Sequence, residues 1–203
     1  MTLQPVVFVI DDDPEMRRAA GILLQSAGFR HDAFERATDF LLQYSDDQPG
    51  CIILDLSMPG MNGIEFLSRL RAQGSQIPVI ILTGVATVRS VVRAMKLGIV
   101  DFFEKPADFD ELLQTVQQAL EIDAQRRARE SVRGPVVEKL GTLTSREREL
   151  LDLLVQGFSS KQVAARLAIS PKTVENHRSK LMQKMGALNI ADLTRMTMIA
   201  EAA

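Results

Sequence analysis

Five residues in the first half of this 203-residue chain have the types and spacing to do chemistry: Asp11, Asp12, Asp55, Thr83 and Lys105. Asp11 and Asp12 follow the apolar run Val6 to Ile10, and Asp55 follows Cys51 to Leu54. Thr83 follows Pro78 to Leu82, and Lys105 comes just after Asp101 to Phe103. Unbroken apolar runs of this length suit strands buried on both faces, so each of these groups lies at or near a strand end. Three carboxylates brought together repel, and at least one pKa rises unless a counter-charge joins them. Oxygen ligands favour a hard cation, and Mg²⁺ takes one or two carboxylates while keeping waters or phosphate oxygens. No His or Cys lies close enough in sequence to suggest zinc. With Asp55 as nucleophile, Lys105 as cationic clamp and Thr83 as hydroxyl, the set fits phosphoryl transfer. The bland alternative is a solvated cluster of loop acids, and the agreement of three strand ends argues against it.

The elements that must position these groups alternate along the chain. Strands are predicted at Val6 to Ile10, Arg30 to Phe34, Gly50 to Leu54, Pro78 to Leu82 and Asp101 to Phe103. Helices are predicted from Pro14 to near Gly28, and over Ala37 to Tyr44, Asn62 to Ala72 and Thr87 to Leu97. A further helix starts at Asp108, and Asp13 before Pro14 reads as a helix cap. Five strand–helix units in alternation predict an α/β fold with a doubly wound, five-stranded parallel sheet, its ligands at the carboxyl ends of the strands.

The helix from Asp108 runs on into Glu121 to Glu130, where its apolar stripe fades after Leu120. Gly134-Pro135 is expected to end it. The organisation expected is a first domain over 1–122, a helical linker over 123–138 and an all-α, four-helix domain over 139–203. The net charge of −2 divides into −8 for Met1 to Asp123, +2 for Ala124 to Glu138 and +4 for Lys139 to Ala203. An acidic domain followed by a basic one fits a metal or phosphoryl site followed by a nucleic-acid binder.

Composition narrows the setting. Cys51 is the single cysteine and sits in a predicted buried strand, so it reads as a small core residue. No disulfide framework can form, which fits a reducing cytosol. No signal pattern opens the chain, and no apolar run approaches the roughly 20 residues of a membrane helix. A cytoplasmic protein without membrane attachment is expected.

In the last domain, Thr144 with Glu147 and Ser159 with Gln162 form capping boxes. Ala168-Ile169 makes a tight turn, and Ser170 and Pro171 open a helix that runs to about Met185, where Gly186 closes it. A last helix is expected over Ile190 to Ala202. Short helix, tight turn and long helix describe a helix-turn-helix. Val174, Leu181 and Met185 share the inward face of the long helix. Lys172, Glu175, Asn176, Ser179, Lys180 and Gln183 share the opposite one. Asn can read adenine, Glu cytosine, and Lys guanine or phosphate. Thr173, His177, Lys161 and Lys184 lie beside that face, within reach of phosphates. From pattern alone, an ordinary solvated helix face is an equal alternative.

Family likeness joins these readings. Asp11-Asp12, Asp55 with Met58-Pro59-Gly60-Met61-Asn62-Gly63, Thr83-Gly84, and Asp101-Phe102-Phe103-Glu104-Lys105-Pro106 resemble the receiver domain of bacterial two-component response regulators. Leu143 to Glu147, Lys161 to Ala164 and Ser170 to His177 resemble the LuxR-type DNA-binding domain. Together the chain resembles a FixJ/NarL-type transcriptional regulator, nearer to FixJ. The resemblance implies a phosphoaspartate at Asp55, formed from a sensor histidine kinase. It implies Mg²⁺ on Asp12 directly, on Asp11 through water, on Asp55 and on the backbone carbonyl of Ser57. Thr83 and Phe102 become the switch pair. Lys172, Glu175, Asn176 and Ser179 enter the major groove of double-stranded DNA, and phosphorylation favours a homodimer. Contact with RNA polymerase stays open.

Two other classes compete. An aspartyl-phosphate phosphatase also uses an Asp nucleophile and Mg²⁺, but it usually needs a second acid close after the nucleophile, where this chain has Ser57. No small-molecule turnover is therefore expected beyond self-transfer and slow autodephosphorylation. A constitutive DNA-binding protein would not need an intact acid set.

Overall fold

The computed structural model describes residues 3–201. The chain divides into two compact units, Met1–Arg126 and Arg127–Ala203. In the first, β1 (Val6–Ile10), β2 (His31–Phe34), β3 (Gly50–Leu54), β4 (Val79–Thr83) and β5 (Asp101–Glu104) form one sheet. All neighbouring pairs are parallel, in the order β2-β1-β3-β4-β5. The order reverses between β1 and β3, which opens a crevice at their carboxyl ends. Every residue of β1, β3 and β4 is buried, which explains why these runs are continuously apolar rather than alternating.

The two faces of the sheet are covered by different helices. Phe8, Ile10, Ile52, Leu54 and Ile81 pack with Phe40 of α2 (Ala37–Gln43), Phe66 and Leu67 of α3 (Gly63–Ala72) and Ala94 of α4 (Val88–Lys96). Val7, Val9, Cys51, Ile53 and Ile80 pack with Ala20 and Leu24 of α1 (Pro14–Ser26) and with Leu112 and Val116 of α5 (Phe109–Gly141). Helix starts follow the capping chemistry. Asp13 accepts from Glu15 N and Met16 N, Asn62 accepts from Glu65 N, and Thr87 forms a capping box with Ser90. Helix α4 buries only Ala94, while Val88, Val92 and Met95 are exposed.

Helix α5 corrects one expectation. It does not stop at Gly134-Pro135 but continues to Gly141, with Pro135 inside it. A helical Pro removes a hydrogen bond and crowds the preceding turn. Beyond it, however, Val136 is buried and Leu140 packs on the core of the second unit. That packing favours continuing the helix over ending it. Residues 123–138 are accordingly shared between the two units, the division falling after Arg126.

The second unit adds α6 (Ser145–Val155), α7 (Ser160–Leu167), α8 (Pro171–Met185) and α9 (Ile190–Glu201). Both capping boxes form, Thr144 with Glu147 and Ser159 with Gln162. The α7–α8 turn places Ala168 in the left-handed region at φ 52°. Leu150, Leu154, Val163, Val174, Leu181, Met185 and Leu193 form its core. The final residue expected for α9, Ala202, lies outside the described residues.

Candidate phosphoryl site and nucleic-acid interface

The β1–α1 turn carries Asp11 and Asp12, and Asp55 directly follows β3, the neighbouring strand. Asp11 and Asp55 are only 4% and 5% exposed, and Asp12 is half-buried. One carboxylate oxygen from each of the three lies within 4.8 Å of the others. The Lys105 ammonium donates to Asp11 Oδ2 at 2.6 Å and stands 3.7 Å from Asp55 Oδ2. Burial pushes the Asp11 carboxyl above its ordinary range, while the Lys105 hydrogen bond, the Asp13 N–H and the Lys105 charge pull it back. The Asp13 N–H donates to Asp11 Oδ1 at 2.9 Å, and Arg17 Nη1 donates to the Asp11 carbonyl at 2.8 Å. Asp55 Oδ1 is buried and accepts no hydrogen bond among the described residues. A buried, unpartnered carboxylate oxygen is costly. A donor set made only of oxygens, with one oxygen unsatisfied, fits a hard cation or an incoming electrophile.

The other residues expected at this site lie on β4, on β5 and just after β3. Thr83 ends β4 fully buried, its Oγ1 accepting weakly from Val85 N at 3.4 Å. Phe102 on β5 is half-buried against the core beneath α2, α3 and α4. Ser57 is exposed, two residues beyond Asp55.

In the second unit, Ser170 caps α8 through Thr173 N, with Pro171 at the first position. Lys172, Glu175, Asn176, Ser179 and Lys180 are exposed along α8, and Thr173 and His177 are half-buried beside them. Lys161 is exposed on α7. Lys184, near the end of α8, is placed differently. Its ammonium lies 2.6 Å from Glu147 Oε2 and 3.4 Å from the Thr142 carbonyl, both within the same unit.

Comparison with known proteins shows the family. A family model described as the response regulator receiver domain matches residues 7–117. Another, described as bacterial regulatory proteins of the luxR family, matches residues 141–197. The transcriptional regulatory protein FixJ of Bradyrhizobium diazoefficiens is 39% identical over 98% of both chains. The chain belongs to the response regulators. The response regulator protein TodT of Pseudomonas putida is 36% identical over 95% of this chain and 85% of its own. Among solved structures, the response regulator StyR aligns with a TM-score of 0.82, at 37% identity over 96% of this chain and 98% of its own. Full-length FixJ from B. japonicum aligns with a TM-score of 0.58, at 38% identity over the whole of both. The family is regulatory rather than one of small-molecule enzymes, and no helix among the described residues is long and apolar enough to cross a membrane.

In this response regulator the fold brings Asp11, Asp12, Asp55 and Lys105 together, with Thr83 and Phe102 on the adjoining strands β4 and β5. Residue type alone did not point to two supports. Gly63 is buried at the start of α3, where an added Cβ would lie 2.4 Å from the Asp55 carbonyl and 2.8 Å from Leu56 Cα. Asp123 is buried and accepts from Gly50 N at 2.9 Å, at the far end of the strand that leads to Asp55. The signal for Gly63 is its place directly after the capping residue Asn62, where α3 must pass close under the Asp55 turn.

Proposed function

We propose that Asp55 accepts a phosphoryl group from a phosphohistidine of a sensor kinase, and that this transfer controls DNA binding by the second unit. The observation that carries the reading is the buried, unpartnered Asp55 Oδ1, with the Lys105 ammonium 3.7 Å from the other oxygen. A carboxylate oxygen of Asp55 attacks phosphorus. The phosphorus–nitrogen bond breaks, and its electron pair stays on the imidazole, which takes up a proton. Asp11, Asp12, Asp55 and the Ser57 carbonyl would hold a hard cation, Mg²⁺ by preference, which when bound neutralises charge on the carboxylates and phosphoryl oxygens. Lys105 holds the new phosphoryl group as a cationic clamp.

The Thr83 hydroxyl, held only weakly by Val85 N, turns to donate to a phosphoryl oxygen, and Phe102 moves inward with it. Helix α4 is easily shifted because it buries only Ala94. Its exposed Val88, Val92 and Met95, with β5, form the face that pairs two copies. Lys172, Glu175, Asn176 and Ser179 then read bases, with Lys161, Thr173, His177 and Lys180 on phosphates. The working domains are 1–122 and 139–203, joined by 123–138. The protein acts in the cytosol, on double-stranded DNA, with RNA polymerase as a further partner to be tested there.

Labelled phosphoryl donor should mark the wild type and not Asp55→Asn. Sedimentation with Mg²⁺ and beryllofluoride should show a monomer-to-dimer shift in the wild type alone. Undiminished labelling of Asp55→Asn would reject Asp55 as the acceptor.

A further inference from the structure

Helix α8 has two ends with different surroundings. The residues that face a groove, Lys172 to Lys180, lie in its first ten positions and are mostly exposed. Its last turn is gripped from two sides. Lys184 places its ammonium on Glu147 Oε2 at 2.6 Å, and Glu147 is itself buried and held by Thr144 N at 2.9 Å and Thr144 Oγ1 at 3.0 Å. Lys139, near the end of α5, donates from Nζ to the Met185 carbonyl at 3.0 Å. That carbonyl is one of the orphan acceptors at a helix end, where a cation is favoured. Gly186 closes the helix with φ 66°, and the Lys139 ammonium would lie 3.2 Å from a Cβ added there.

We propose that Glu147, Lys184 and Lys139 are positioning residues for base reading: they fix the angle at which α8 leaves its own domain, and Lys184 does not contact DNA. The inference rests on the reading of α8 as the groove-entering helix. Geometry sets the sensitivity. Glu175 precedes Lys184 by nine residues, about 13 Å of helix at 1.5 Å per residue. A tilt of about 10° around the anchored end moves Glu175 and Asn176 by about 2 Å. That displacement breaks a base-edge hydrogen bond, whose donor–acceptor distance is confined to roughly 2.7–3.2 Å. Contacts to phosphate by mobile lysines tolerate it far better.

The test uses the full chain with Mg²⁺ and beryllofluoride. Two probes are needed: a duplex selected from a random library by the wild type, and a base-shuffled copy of it. Affinity for both is measured across salt for wild type, Lys184→Met, Lys184→Arg, Lys139→Met and Glu147→Gln. Far-UV melting checks that each variant is folded at the assay temperature. Lys139→Met keeps the test valid if Glu147→Gln unfolds, because the Lys139 amine donates to a backbone carbonyl rather than pairing with a buried carboxylate.

Lys184→Met and Lys139→Met should bind the selected duplex about tenfold more weakly and the shuffled duplex as before, and Lys184→Arg should recover. Tenfold corresponds to the loss of about one base contact. The salt slope should stay at the wild-type value. An equal loss on both duplexes, with the slope shallower by about 0.9, would make Lys184 a phosphate contact and overturn the proposal. Unchanged discrimination in folded variants would also overturn it, reducing the cluster to a purely structural one. A wild type that does not discriminate the two duplexes would instead remove the underlying reading of α8, and this proposal with it.

Discussion

Replacing Glu147 with Gln should remove a part of the second unit's stability that depends on pH. The Lys184 hydrogen bond, and next the Thr144 N–H, hold the Glu147 carboxyl down to about 2 from an ordinary 4.5, against the opposing effect of burial. A carboxyl whose folded pKa lies below its unfolded one stabilises the fold fully above the unfolded value. That contribution is lost as pH falls from about 4.5 to about 2. The distance between those two values corresponds to about 3 kcal/mol at neutral pH. The Lys184 side chain is 38% exposed, so solvent screening reduces this to about 2 kcal/mol. The chain has no Trp and a single Tyr, Tyr44 in the first unit, so intrinsic fluorescence does not report on Glu147. Amide hydrogen exchange read on peptides of α6 and α8 does. The protection lost in Glu147→Gln should be about 2 kcal/mol at pH 6 and under about 1 kcal/mol at pH 3. A deficit that is the same at both pH values, or absent at pH 6, would refute the reasoning.

Three further outcomes follow from packing. Gly63→Ala drives a Cβ into backbone atoms at Asp55 and Leu56. It should cost about 1–3 kcal/mol in thermal melting and slow labelling of Asp55, and wild-type labelling would show that the turn has slack. Asp123→Ala removes the acceptor of Gly50 N and the partner of Arg126 at 2.7 Å. It should cost about 1–3 kcal/mol, the cost of leaving the buried Gly50 N–H without its acceptor, read as a lowered urea midpoint by Tyr44 fluorescence, with Asp123→Asn milder because its amide oxygen still accepts from Gly50 N. Cys51 is fully buried and burial pushes its thiol pKa up. Iodoacetamide should modify it only as the first unit unfolds, and modification of the native protein at a free-thiol rate would contradict that burial.

Much of the fold was legible because its determinants are local. The strands β1 and β3 are recognisable to the residue as apolar runs, since both of their faces are covered. Asp13, Thr87, Thr144 and Ser159 mark helix starts because each bonds a backbone N–H two or three residues on. Pro135 misleads for the converse reason. Its penalty is local, whereas Val136 is buried and Leu140 packs on a core assembled from residues along the whole second unit, and neither gain is visible at the Gly134-Pro135 pair itself.

Several polar pairs that sequence pattern does not point to join residues far apart along the chain. Gly50 and Asp123 are 73 residues apart, Lys139 and Met185 are 46 apart, and Glu147 and Lys184 are 37 apart. A helical wheel says which way Lys184 points from its own axis and nothing about the carboxylate that waits there. Glu147 was, moreover, already explained as the third residue of a capping box, although one carboxylate can cap its helix and bind a lysine at once. By separation alone, Asp11 and Lys105, 94 residues apart, should have been harder still. They were legible because parallel β/α alternation sends every strand the same way. It gathers the residues that follow β1, β3, β4 and β5 at one edge of one sheet. Helical domains have no equivalent rule for helix ends. The pairing of Lys139 and Glu147 with the end of α8 therefore has to be seen in three dimensions, and the receiver pocket does not.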